Sequence, residues 1–171
     1  MLTNDTYLKS LDFLRKFLGF GGSQAAPTGQ GSLPRFVRAS IGMKAHDPVT
    51  AKSDVAYAFE TLDKVRQNTS TVSVWNNVYD RANMRVFFRT VAHPAIKSID
   101  LKGMDYSCRK PAKMLEMNAS GEGDVTAKFV DYDRAANRKL IDKSFSHIVS
   151  LLPPGTLDRI ERYPETLRCT E

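Results

Sequence analysis

The stretch from Val72 to Phe88 constrains the fold more than any other part of the chain. Val72, Val74 and Val78, with Trp75 and Tyr79 among them, are residue types that fit a pleated, half-buried surface. They lead into the polar run Asp80-Arg81-Ala82-Asn83, and Val86-Phe87-Phe88 follows at once. Two β-rich runs on either side of a short polar turn predict an antiparallel hairpin. Asp80 and Asn83 read most simply as its turn residues, and Trp75 as a core or cross-strand aromatic.

The flanking segments are mostly helical in pattern. Leu8, Leu11, Leu14 and Leu18, with Phe17 beside them, recur at three- and four-residue spacing and predict a helix over 5–18. Asp5 or Thr6 is placed to cap it and Gly19 to end it. Residues 21–34 are rich in Gly, Ser, Gln, Ala and Pro and read as an exposed loop within a domain. Arg35 to Met43 fits a strand or the start of a helix. Val55, Ala58, Phe59, Leu62 and Val65 form one stripe and predict an amphipathic helix over 54–66.

Beyond the hairpin, Ile96 to Leu101 reads as a further strand, Gly121-Glu122-Gly123 as a loop, and Val125 to Tyr132 as a strand or a helix start. Leu140, Ile141, Phe145, Ile148, Val149 and Leu152 predict a helix over 137–152, stopped by Pro153-Pro154-Gly155. The expected organisation is one domain over 1–152 and a polar, loosely packed tail over 153–171. Helices around an antiparallel sheet make the class α+β.

Composition excludes several functions. The 171 residues are 42% hydrophobic and 26% charged, as in a globular domain. No apolar run is long enough to span a bilayer, and Met1-Leu2-Thr3-Asn4-Asp5 has neither the basic nor the apolar region of a signal peptide. No membrane partner is expected, and the localisation stays unassigned. The net charge of +6 invites a nucleic-acid reading. The basic residues are dispersed, however, and Arg134, Arg138 and Lys139 lie close to Asp131, Asp133 and Asp142. A mixed, solvated surface is the simpler reading. Cys108 and Cys169 form neither a disulfide framework nor a zinc spacing. His46, His93 and His147 have no metal-ligand spacing, so neither a metal nor a cofactor is expected.

Three segments in fixed order carry a more specific signal. The first is Leu2-Thr3-Asn4-Asp5, followed by Tyr7 and the Leu-rich helix. The second is Arg35-Phe36-Val37-Arg38-Ala39-Ser40. The third runs from Trp75 through Val78-Tyr79-Asp80 and Val86-Phe87-Phe88-Arg89-Thr90 to Ile99-Asp100-Leu101, with Gly123-Asp124-Val125 later. Together they resemble the C-terminal portion of the choloylglycine hydrolase family, which includes bile salt hydrolases and penicillin V acylases. These are N-terminal-nucleophile (Ntn) hydrolases of linear amide C–N bonds.

The resemblance implies a four-layer αββα sandwich with two antiparallel sheets face to face. It implies a small amide substrate and a cysteine nucleophile at a processed N-terminus, with the α-amino group as its base. Asn4 matches the asparagine whose side-chain amide helps form the oxyanion hole. Arg35 matches the arginine beside the nucleophile, where a permanent cation favours thiolate. Taken alone, Asn4 would be a turn or cap residue and Arg35 a surface cation.

This sequence departs from the pattern in two ways. The nucleophilic cysteine, its neighbouring arginine and aspartate and a second oxyanion asparagine belong to the half that precedes Leu2 in the family. Neither Cys108 nor Cys169 falls on a catalytic position. The stretch between Asn4 and Arg35 is also shorter than in the family, with Gly29-Gln30-Gly31-Ser32-Leu33-Pro34 running straight into Arg35. The expectation is an amide-hydrolase fragment that is inactive alone, completed by a separately encoded N-terminal half or by self-association. The alternative is a non-enzymatic binding or assembly module with a basic surface.

Overall fold

The structure is a computed structural model that describes residues 4–49, 53–69, 72–107 and 109–167. Leu2, Thr3 and both cysteines lie outside the described residues. Among the described residues, five α-helices and six strands follow in the order α1 (Tyr7–Leu14), α2 (Ser32–Lys44), α3 (Asp54–Lys64), β1 (Trp75–Asp80), β2 (Arg85–Thr90), β3 (Lys97–Asp100), β4 (Lys113–Met114), β5 (Gly123–Asp124), β6 (Val130–Asp131), α4 (Arg134–Phe145) and α5 (Thr156–Thr166). The class is α+β, and antiparallel pairing dominates the sheets.

The hairpin forms as its composition requires. β1 and β2 pair antiparallel from Trp75↔Thr90 to Asp80↔Arg85. The Asp80 carboxylate closes the turn by accepting from the Asn83 backbone N–H at 3.0 Å and from its side-chain amide at 2.7 Å. β3 adds antiparallel to β2 and the two-residue β5 adds parallel to β3, giving the order β1-β2-β3-β5. β4 and β6 form a separate antiparallel pair.

Strand alternation divides the main sheet into two faces. Val78 and Arg89 look towards α3. The Arg89 guanidinium stacks 4.7 Å from the Phe59 ring centre and pairs with Asp63 at 2.5 Å. The opposite face carries Trp75, Asn77, Tyr79, Val86, Phe88 and Ile99. The segment around Met114 to Met117 and Phe129 covers part of it, over a cavity of about 260 Å³. Lys97 belongs to this face and is only 1% exposed. Its ammonium donates to the Met117 carbonyl at 2.8 Å and lies 5.3 Å from the Phe88 ring centre.

Several expectations are revised. α1 ends at Leu14, because the chain turns there and folds back so that Phe17 bridges Gln24. Gly22 permits this return, since a Cβ there would meet the Lys16 backbone at 2.1 Å. The loop before Arg35 is shorter than its composition suggests, and α2 already begins at Ser32 with Pro34 in its first turn. Arg35 to Met43 is helical. Phe36 and Val37 on α2 pack with Leu14 and Phe17 into the buried cluster that joins the first two helices.

α4 starts earlier than Asn137, where the Asp133 side chain caps it, and it stops at Phe145 before a short 3-10 turn over Val149–Leu151. Trp75 is not in the core but 53% exposed, with Thr90 opposite. Residues 156–166 form a helix rather than a loose segment. α5 is fastened to α4 by Glu161, which accepts from Arg134 at 2.6 Å and Arg138 at 2.9 Å. No described helix is long and apolar enough to cross a membrane.

Candidate functional site

The first two matched segments meet at the start of α2. The Asp5 backbone N–H donates to Ser32 Oγ at 3.0 Å, and Tyr7 lies edge-on to Phe36 with ring centres 6.3 Å apart. Asn4, next to Asp5, is exposed. Thr6 caps α1, and that leaves Asn4 just outside the helix and free of the capping role its residue type suggests. Arg35 lies one turn along α2 from Ser32. The fold thus brings the Asn4 segment onto the helix that carries Arg35, although 27 residues separate Asp5 from Ser32.

The two arginines of Arg35-Phe36-Val37-Arg38 have different surroundings. Arg38 donates to three backbone carbonyls, those of Gly29 at 2.7 Å, Lys64 at 2.8 Å and Pro27 at 3.0 Å. It therefore ties the loop before α2 to the end of α3. Burial, and then the positive charge of Arg35 nearby, pull its pKa below the ordinary arginine value. Arg35 is half-buried and makes no ion pair with any described carboxylate. Its buried Nε has no hydrogen-bond partner among the described residues, and neither has Gln30 Oε1 in the adjoining loop. A half-buried cation without a counter-ion raises the local positive potential, which favours an anionic neighbour.

Chemically, this corner offers an amide on Asn4 and a cation on Arg35. The described residues add no thiol, since both cysteines lie outside them. No group of three or more His, Asp or Glu side chains among the described residues is arranged to hold a metal. Asp124 is a local turn carboxylate; hydrogen bonding from Thr126, through its side chain first and then through its backbone N–H at 2.8 Å, holds its pKa below the ordinary aspartate value.

Sequence reasoning missed Arg38, whose role depends on which carbonyls the fold places around it. It also missed the setting of His46, whose Nε2 lies 3.1 Å from Asp54 and whose ring stacks on Tyr57 at 4.5 Å. The only available signal was their proximity in sequence across the α2–α3 connection.

No family model matches the chain. No curated protein matches it significantly. Among solved structures, it is similar to penicillin V acylase from Agrobacterium tumefaciens, with a TM-score of 0.59 and 22% identity over 75% of this chain. The likeness shows a shared fold. The chain spans 45% of the length of that acylase chain.

Proposed function

We propose that this chain is part of a hydrolase of linear amide C–N bonds, of the choloylglycine hydrolase and penicillin V acylase type. In this reading Asn4 donates its side-chain N–H to the oxygen that becomes negative as the amide carbonyl is attacked. A fixed neutral donor gains most when charge develops opposite it. Arg35 supplies the permanent cation that holds a neighbouring thiol as thiolate. The observation that carries the reading is the Asp5 to Ser32 hydrogen bond, which fastens the Asn4 segment to the helix bearing Arg35. It does so within a fold shared with a penicillin V acylase.

The nucleophile and its α-amino base come, in this proposal, from polypeptide other than these 171 residues, which alone turn over no amide. The proposed architecture is the four-layer αββα sandwich. Helix α3 packs against one face of the β1-β2-β3-β5 sheet, and in this proposal a second sheet belongs against the other. Two features support this. Trp75 and Tyr79 stand 53% and 66% exposed on that face, and no described strand pairs with the outer edge of β1. That edge carries no lysine, proline or bulge to discourage pairing.

The test is a reconstitution. The chain alone should hydrolyse neither penicillin V nor a glycine-conjugated bile salt. Co-expression with an acylase N-terminal half that begins with its processed cysteine should restore turnover of one of them. Hydrolysis by the chain alone, or none after stable association of the two parts, would contradict the proposal.

A further inference from the structure

Antiparallel strands alternate which way their backbone groups point, and the ladder of the hairpin fixes that alternation for β1. The Val91 N–H donates to the Val74 carbonyl at 2.9 Å. With Trp75 opposite Thr90, Asn76, Val78 and Asp80 then direct their N–H and C=O groups at β2. Trp75, Asn77 and Tyr79 direct theirs at the open edge, where no described strand meets them. Their side chains stand on the bare face, and the Asn77 amide donates to the Tyr79 hydroxyl there at 3.4 Å.

The open stretch has two definite ends. Ser73 also points outward, but its N–H donates to the Gln67 carbonyl at 3.0 Å, and its hydroxyl accepts from the Gln67 N–H at 3.1 Å. The edge is closed there. Beyond Asp80 the chain leaves the edge for the turn to β2. What remains open runs from Trp75 to Tyr79, and its middle residue is Asn77.

A strand that adds to this edge gains most if it matches the stretch in length and in side chains. The stretch is its own match when read backwards. Set antiparallel to itself about Asn77, it places Trp75 opposite Tyr79 of the second copy, Tyr79 opposite Trp75, and Asn77 opposite Asn77. Both aromatics thereby gain a cross-strand aromatic neighbour. Asp80, the only charged residue of β1, falls opposite Val74 rather than opposite itself, and its carboxylate is already occupied by Asn83. Neighbouring registers are poorer. Centred on Asn76, Tyr79 of one copy meets the closed position at Ser73. Centred on Val78, Trp75 meets the turn residue Arg81. We propose that two copies of this chain pair antiparallel through β1 about a two-fold axis at Asn77, joining their four-stranded sheets into one. The pairing uses the edge and leaves the bare face uncovered, so it does not rest on the amide-hydrolase reading and can fail without it.

The test is sedimentation and amide hydrogen exchange of the full chain across a wide concentration range. The chain should pass from monomer to dimer as its concentration rises. The Trp75, Asn77 and Tyr79 amides should exchange slowly in the dimer and fast on dilution, whereas those of Asn76 and Val78, bonded to β2, stay slow throughout. Because Trp75 and Tyr79 are exposed, both tolerate charge without loss of the monomer fold. Trp75→Lys with Tyr79→Lys sets like charges opposite each other and should weaken the dimer by at least about tenfold. Trp75→Lys with Tyr79→Glu sets opposite charges there and should dimerise more tightly than the double-lysine variant. Four results would overturn the proposal: a monomer at every concentration, edge amides that slow only when an acylase N-terminal half is added, a dimer whose edge amides stay fast, or equal dimerisation of the two double variants.

Discussion

Two arginines three residues apart show how little residue type decides by itself. Arg35 and Arg38 are interchangeable on paper, yet only Arg38 is surrounded by backbone carbonyls. Those bonds are charge-assisted and join three separate segments. Arg38→Met should therefore lower stability by about 1.5 to 3 kcal/mol, measured by urea unfolding. A loss within experimental error would mean that water replaces the guanidinium at no cost. Arg35 was legible as a site candidate only through the family resemblance, since nothing in its local sequence separates it from Arg38. Asn4 was legible in the same way. The structure adds that its segment is fastened to Ser32, a contact between residues far apart that no local pattern encodes.

Among the elements, those whose pattern is strong and local came through. The β1–β2 hairpin, the amphipathic α3 and the strand β3 stand close to where side-chain alternation and spacing put them. The misreadings have physical causes. α2 looked ambiguous because its buried residues, Phe36, Val37 and Ala39, lie close together and its polar residues are mostly cationic. α5 looked like a loose polar segment because its fastening is ionic rather than apolar. Glu161 sits buried between Arg134 and Arg138, and its backbone carbonyl accepts from Tyr132 and Asn137.

The bonds from Arg138 and then Arg134 hold the Glu161 carboxyl below its ordinary value of 4.5. A depressed folded-state pKa stabilises the fold above that ordinary value, and the contribution is lost as pH falls through the folded pKa. Glu161→Gln should thus lower the melting temperature clearly at pH 7. The gap from the parent chain should close as the pH is taken below about 4.5. A gap that stayed constant with pH would place the stabilisation in packing rather than charge.

At the scale of the whole molecule, the sheet has one covered face and one partly bare face. That asymmetry was legible only through the family resemblance, since half of a face-to-face sandwich leaves sheet surface uncovered; a strand's own sequence does not say whether the layer that buries it lies in the same polypeptide. Trp75 is the only tryptophan, and it stands on the bare face at the open edge. It therefore reports directly on whether a second layer docks there. Its emission should lie at the long wavelengths of a water-exposed indole in the chain alone and move to shorter wavelengths when a complementing half associates. Association without a shift would put the docking surface elsewhere.

In the proposed function, Asn4 faces the oxygen of a reacting amide. The most direct measurement is the turnover rate of the reconstituted enzyme with Asn4→Ala. Loss of one oxyanion donor should lower kcat by about 10²- to 10³-fold, with KM much less affected because the bond strengthens only as charge develops. An unchanged kcat in a variant that still associates with its complementing half would contradict the account.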